Sequence, residues 1–175
     1  MDKTLSTAHH EAAHAVVQYR TSGFAGGPVT IKADQEAQTV GACSDYVSDS
    51  TSKEHARCRI LSAYAGACSD RILDDYDPQA CEVDEEIAAE LLRDWRIEAY
   101  EAELRMEAER LVNVHWREIG AVARELVERE TLTDTEVEMI SDIAAGVEGV
   151  SDADLVAFRA LLGGKSGGTK EKPLS

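Results

Sequence analysis

The sequence predicts a mainly α-helical domain with a small β hairpin or sheet, and three observations carry that reading. Alanine, leucine and glutamate recur throughout, while aromatic residues make up only 5% of the chain. Such residues lose little side-chain freedom in a helix. Apolar positions return at helical spacing in successive stretches, each bounded by Gly, Pro or a capping residue. Only short runs near residues 29 and 39 are β-prone. With 175 residues the chain suggests one domain, long enough to bury a core without disulfides.

Residues 4–20 read as the first helix. Thr4 or Ser6 is placed to cap it, and Ala8, Ala12, Ala15, Val16 and Tyr19 supply its apolar positions. Gly23, Gly26, Gly27 and Pro28 end it. Val29-Thr30-Ile31 and Thr39 to Cys43 then suit a hairpin. Ser52 caps a second helix over 53–75, with Ala56, Ile60, Ala63, Tyr64, Ala67 and Ile72 on its apolar face. Gly66 inside it costs about 1 kcal/mol against Ala, which marks a close helix contact. Asp77-Pro78 breaks the pattern.

From Asp84 to Val112 there is neither Gly nor Pro, and Ile87, Leu91, Trp95, Tyr100, Leu104 and Leu111 fall near helical spacing. This is one long helix, or two with a kink. Asn113 is placed to cap a further helix through Trp116, Ile119, Val122, Ala123, Leu126 and Val127. Thr133 caps the next, through Val137, Ile140 and Ile143. The organisation expected is a domain over 1–145, a short C-terminal helix within 146–162 and a disordered Gly/Ser/Lys-rich tail over 163–175.

Hydrophobic residues at 43% and charged residues at 30% fit a soluble globular protein. The formal net charge of -16 repels phosphate backbones and anionic headgroups. Nucleic acid and membrane surfaces are therefore not expected as partners. No apolar run is long enough to span a bilayer, and the N-terminus lacks the pattern of a secretory signal. The expectation is a cytoplasmic protein. Cys43, Cys58, Cys68 and Cys81 form no CxxC pair, so reduced thiols are expected.

One motif carries chemistry. His10-Glu11-Ala12-Ala13-His14 is HExxH. On a helix, positions i and i+4 share a face, so both imidazoles point at a common spot, as neighbouring zinc ligands require. Zinc lowers the pKa of water, and Glu11 is placed to take the proton as that water attacks a carbonyl. A catalytic zinc needs a third protein ligand and an open position. Val17 and Arg20 stand where the metzincin extension needs Gly and His, so that class is excluded. A peptide-deformylase arrangement needs an upstream Cys ligand, and no Cys stands before His10, so the third ligand is expected downstream. Asp70, Asp74, Asp75, Glu82, Asp84, Glu85, Glu86, His55 and His115 are the candidates, and spacing does not choose among them.

Further pieces follow in a familiar order. After HExxH come Val29-Thr30-Ile31, then Ala65-Gly66-Ala67-Cys68-Ser69-Asp70-Arg71-Ile72-Leu73, then Asn113, and finally Leu126-Val127-Glu128 ahead of Glu130-Thr131-Leu132. Over residues 5–142 the chain resembles the peptidase domain of the FtsH-type ATP-dependent zinc metalloproteases. That family has HEAGH-like, "VTI", "GGRAAEE"-like and "ETL" segments in this order. The resemblance implies a helical zincin-type peptidase domain. It also implies a third zinc ligand at the head of a long helix, within a "TGAxND"-like segment. The matching stretch is Ala80-Cys81-Glu82-Val83-Asp84, which points to Asp84, with Glu82, Glu85 and Glu86 as neighbours in the same stretch. Ala13 stands where the family has Gly. These residues hold no GxxxxGK[ST] phosphate loop and no membrane anchor.

The activity implied is hydrolysis of peptide bonds in accessible peptides or unfolded proteins, without an in-chain ATPase. His10, His14 and Asp84 hold Zn2+, and Glu11 serves as base and then acid. Val29 to Ile31, as an edge strand, would align an extended substrate by main-chain hydrogen bonds. A non-catalytic zinc module that binds or regulates a partner is the alternative, and intact Glu11 argues against it. A zinc hydrolase acting on a non-peptide amide is the third reading. Whether the chain forms a homo-oligomer, and whether an ATPase acts in trans, stays open in the sequence.

Overall fold

Every residue from Glu11 to Gln18 is buried, so the HExxH segment lies in the middle of the core. A helix buried on all sides must be apolar or small nearly all round, and Ala12, Ala13, Ala15, Val16 and Val17 provide that surface. The computed structural model describes residues 3–34, 39–43 and 52–163. The order is α1 (Lys3–Ser22), β1 (Val29–Asp34), β2 (Thr39–Cys43), α2 (Lys53–Ile72), α3 (Glu82–Trp95), a 3-10 turn (Glu98–Tyr100), α4 (Glu101–Val114), α5 (Trp116–Arg129), β3 (Thr131–Leu132), α6 (Asp134–Ala145) and α7 (Asp152–Gly163). The fold is mainly helical with a small antiparallel sheet, and α1 packs between α2 and α5. No helix among the described residues is long and apolar enough to cross a membrane.

The sheet order is β2-β1-β3. β1 and β2 pair antiparallel, with Val29 opposite Cys43 and Asp34 opposite Thr39, and a register shift between Thr30 and Ala33. The hairpin expected from the sequence is therefore present. The edge-strand role expected for Val29 to Ile31 is corrected, because β1 is the central strand. β3 pairs with Val29 and Thr30, and the Ile31 amide donates to the Glu130 carbonyl at 2.9 Å. A two-residue strand is too short to announce itself by alternation, which is why β3 is not visible in the sequence.

Several helix ends differ from the sequence reading. Thr4 and Ser6 lie inside α1 rather than capping it. Ser52 does cap α2, its Oγ accepting from the His55 amide at 3.2 Å. Ile72, expected on the buried face of α2, is 41% exposed at the last turn, and Val127 of α5 is exposed as well. The stretch from 84 to 112 is two helices. Arg96 adopts φ 55 and closes α3 before the 3-10 turn leads into α4. Tyr100, in that turn, faces solvent. Asn113 belongs to α4, its side-chain amide donating to the Glu109 carbonyl at 2.8 Å, and α5 begins after His115 instead. Cys58, Cys68 and Cys81 are buried free thiols. The side chain of Cys43 and the tail from residue 164 lie outside the described residues.

Two polar clamps fix the helices that matter for the site. At the C-terminal end of α1, Arg20 reaches Glu118 of α5 at 2.6 Å and Asp142 of α6 at 2.9 Å, and the Tyr19 hydroxyl donates to Asp142 at 2.9 Å. Across the bundle, Arg105 of α4 grips both carboxylate oxygens of Glu85 on α3 and stacks 4.1 Å over the Tyr64 ring of α2. Bidentate, partly buried pairs of this kind set geometry as well as energy.

Thr133 caps α6 through a full capping box with Glu136, whose other oxygen accepts from Arg159 of α7 at 2.8 Å. Thr133→Ala is expected to destabilise the fold by about 1 kcal/mol. A shift of the urea midpoint at unchanged slope will measure it.

Candidate metal centre

The fold brings three sequence-predicted ligands together. His10 and His14 project from one face of α1, as the i, i+4 spacing requires, and their ring centroids are 4.7 Å apart. Asp84 sits in the first turn of α3, where a carboxylate is favoured by the helix dipole. Its Oδ2 lies 3.2 Å from His10 Nε2 and 3.3 Å from His14 Nε2. The three donor atoms lie within 4.8 Å of one another. Zinc bonds of about 2.0–2.1 Å in a tetrahedron imply donor separations of about 3.3 Å, which these two distances match.

The other ring nitrogens are held as well. His10 Nδ1 donates to Asp70 Oδ2 at 2.8 Å, and His14 Nδ1 donates to the Ser62 carbonyl at 2.7 Å. In return the Ser62 hydroxyl donates to the His14 carbonyl at 3.1 Å. These bonds keep a proton on each Nδ1 and leave Nε2 as the nitrogen that faces Asp84, the one a metal would take in place of its proton. Carboxylate or carbonyl partners behind metal-binding imidazoles do this commonly.

Gly66 of α2 supplies the remaining wall. A Cβ there would lie 2.6 Å from His10 Nε2 and 2.7 Å from His14 Nε2, in the space a metal shared by the two nitrogens needs. The absent side chain is what leaves room. The donor set, its supporting bonds and this clearance all fit zinc.

Electrostatics favour a cation in this centre. Burial opposes charge on His10, but hydrogen bonds to Asp70 and Asp84 outweigh it and lift its pKa to about 10. Burial opposes charge on His14 in the same way, and Asp84 overcomes it. Burial also works against the Asp84 carboxylate, yet His14 and His10 hold it well below the ordinary carboxylate range. Glu11 is pushed the other way. Burial raises its pKa, and the attraction of His14 and His10 only partly offsets this. The residue is 6% exposed, and its carboxylate makes no hydrogen bond or ion pair among the described residues. A buried carboxylate without a protein partner is poised to accept a proton.

The other candidates are placed elsewhere. Glu85 is engaged by Arg105, and Glu82, Glu86, Asp74 and Asp75 are exposed. His115 is bonded to Glu118 at 2.8 Å. His55 lies in the first turn of α2, about 16 Å along the helix from Gly66 at 1.5 Å per residue. Asp70 is at the centre, but behind His10 rather than among the converging Nε2 donors. Sequence reasoning did not find Ser62, because a main-chain carbonyl serves whatever the residue type. It flagged Gly66 only as a helix contact. Ala13, between the two histidines, is wholly buried.

No protein-family model matches the chain, and neither does any curated protein. The functional reading therefore rests on the residues and their geometry.

Proposed function

We propose that this chain is a zinc-dependent metalloendopeptidase of the HExxH type, with a zincin-type peptidase domain related to that of the FtsH proteases. One observation carries the reading. Two imidazoles, each held at Nδ1, converge through Nε2 on Asp84, while the Glu11 carboxylate beside them has no hydrogen-bond partner among the described residues. A structural zinc site has no use for such a base.

His10, His14 and Asp84 would hold the ion. Zinc bound there would acidify water and polarise a substrate carbonyl. Glu11 takes the proton from the attacking water, which its raised pKa favours, and then passes it to the leaving amine. Asp70 and the Ser62 carbonyl keep His10 and His14 aimed during this transfer. Among the described residues β2 and β3 form the edges of the sheet, so an extended substrate adding a strand would align there and not on β1. Acting by itself, the chain would cleave peptides and unfolded proteins and leave stably folded ones intact.

Glu11→Gln is expected to keep one zinc per chain and to lower cleavage of an unstructured, fluorescently labelled polypeptide by about 10²–10⁴-fold. Metal analysis and the cleavage rate test the two halves separately. Native-rate cleavage by Glu11→Gln overturns the mechanism. Stoichiometric zinc with no cleavage by the native chain would favour a non-catalytic zinc module.

A further inference from the structure

We propose that Cys81 is a positioning residue for the metal centre, acting on His10 through Asp70 and joining that support to the turn that carries Asp84; this rests on the zinc reading above. Cys81 is wholly buried. Its Sγ lies 3.7 Å from Asp70 Oδ2, the same oxygen that accepts from His10 Nδ1 at 2.8 Å. Cys81 is also the residue from which α3 starts, its carbonyl accepting from the Glu85 amide at 3.0 Å. Ser, Thr, Asp or Asn in that position ordinarily turns a side-chain oxygen to the helix's own amides. Here no side-chain cap forms, and the thiol is turned to Asp70 instead.

The consequence is a connected arrangement. One end is the helix start that places Asp84, and the other is the carboxylate that orients His10. Asp70 bridges α2 to α1, and Cys81 bridges Asp70 to α3. A thiol is a weak donor, so its electronic effect on Asp70 is small. Its larger effect is to hold one rotamer of a buried carboxylate that has two other elements to satisfy. Losing it lets the Asp70 carboxylate turn and lets His10 drift from Asp84. Partners behind metal ligands are commonly worth 10–100-fold in metal affinity.

The experiment is zinc affinity of the full chain by competition with a chromophoric chelator, for native, Cys81→Ala, Cys81→Ser, Asp70→Asn and the Asp70→Asn/Cys81→Ala pair. Cys81→Ala is expected to weaken zinc by about 10-fold, and Cys81→Ser, which keeps a donor, to return affinity to within about 3-fold of native. In the Asp70→Asn background, Cys81→Ala is expected to add almost nothing, because its route to the metal is already cut. Native affinity in Cys81→Ala overturns the proposal. So does a full 10-fold loss in both backgrounds, which would place the effect in core packing. Cobalt substitution supplies a second readout. A thiolate-to-cobalt charge-transfer band would make Cys81 a ligand, and its absence agrees with a role one bond removed. If the native chain binds no zinc at all, the zinc reading itself fails, and that result is distinct from every Cys81 outcome.

Discussion

A Gly66→Ala chain is expected to fold and to lose most of its affinity for zinc. Alanine is the better helix former by about 0.5–1 kcal/mol, so α2 itself gains from the change. The added methyl, however, would meet His10 and His14 ring atoms at 2.6–2.7 Å. These are side-chain ends, not backbone, so the fold can give way by displacing the rings. The rings cannot move and still bind, since Asp70 and the Ser62 carbonyl hold each Nδ1. Zinc–ligand bonds tolerate shifts of only about 0.2 Å, and the ring displacement needed is larger. The expected loss is at least about 100-fold in affinity, with helical circular dichroism retained. Zinc should raise the melting temperature of the native chain by mass action and leave that of Gly66→Ala unmoved. A variant that binds zinc as tightly as native would show that the centre lies away from Gly66.

The contrast between Gly66 and Ser62 shows what a sequence can disclose here. HExxH is legible because its chemistry is written in side-chain types at a fixed helical period. The helices are legible for the same reason, as are the caps at Ser52 and Thr133, where one hydroxyl meets one amide. Asp84 was singled out only by resemblance, because a carboxylate in the first turn of a helix is commonplace. The structure brings its oxygen to both Nε2 atoms. What stayed hidden depends on the third dimension alone. The Ser62 carbonyl, the short β3 strand and the Cys81–Asp70 contact have no local pattern. The break at Arg96 was hidden for another reason. Its left-handed φ of 55 is uncommon for a residue other than Gly, and neither Gly nor Pro announces the turn. The central position of β1 follows from β3 and was equally out of reach.

Asp84→Asn is expected to weaken zinc binding by about 100-fold or more, while Glu82→Gln leaves it within about 2-fold. The two carboxylates are only two residues apart, yet they differ in everything that matters to a metal. Asp84 Oδ2 faces both Nε2 atoms, whereas Glu82 is exposed at the first position of α3. The ring nitrogens hold Asp84 ionised far below the usual carboxylate range, despite burial that disfavours its charge. An amide at this position removes that negative charge and offers zinc a weaker, neutral oxygen. Its NH2 group can also turn toward an imidazole lone pair and occupy it. Glu85→Gln separates a third case, because Glu85 is held by Arg105. Its loss should lower the melting temperature and leave zinc stoichiometry at one. Calorimetric titration of the three variants with zinc, alongside their thermal melts, will distinguish these roles. If Glu82→Gln loses the metal and Asp84→Asn keeps it, α3 must enter the centre one turn-step earlier than the geometry places it. The Asp84 contacts with His10 and His14 would then describe a histidine–carboxylate ion pair instead of a ligand set.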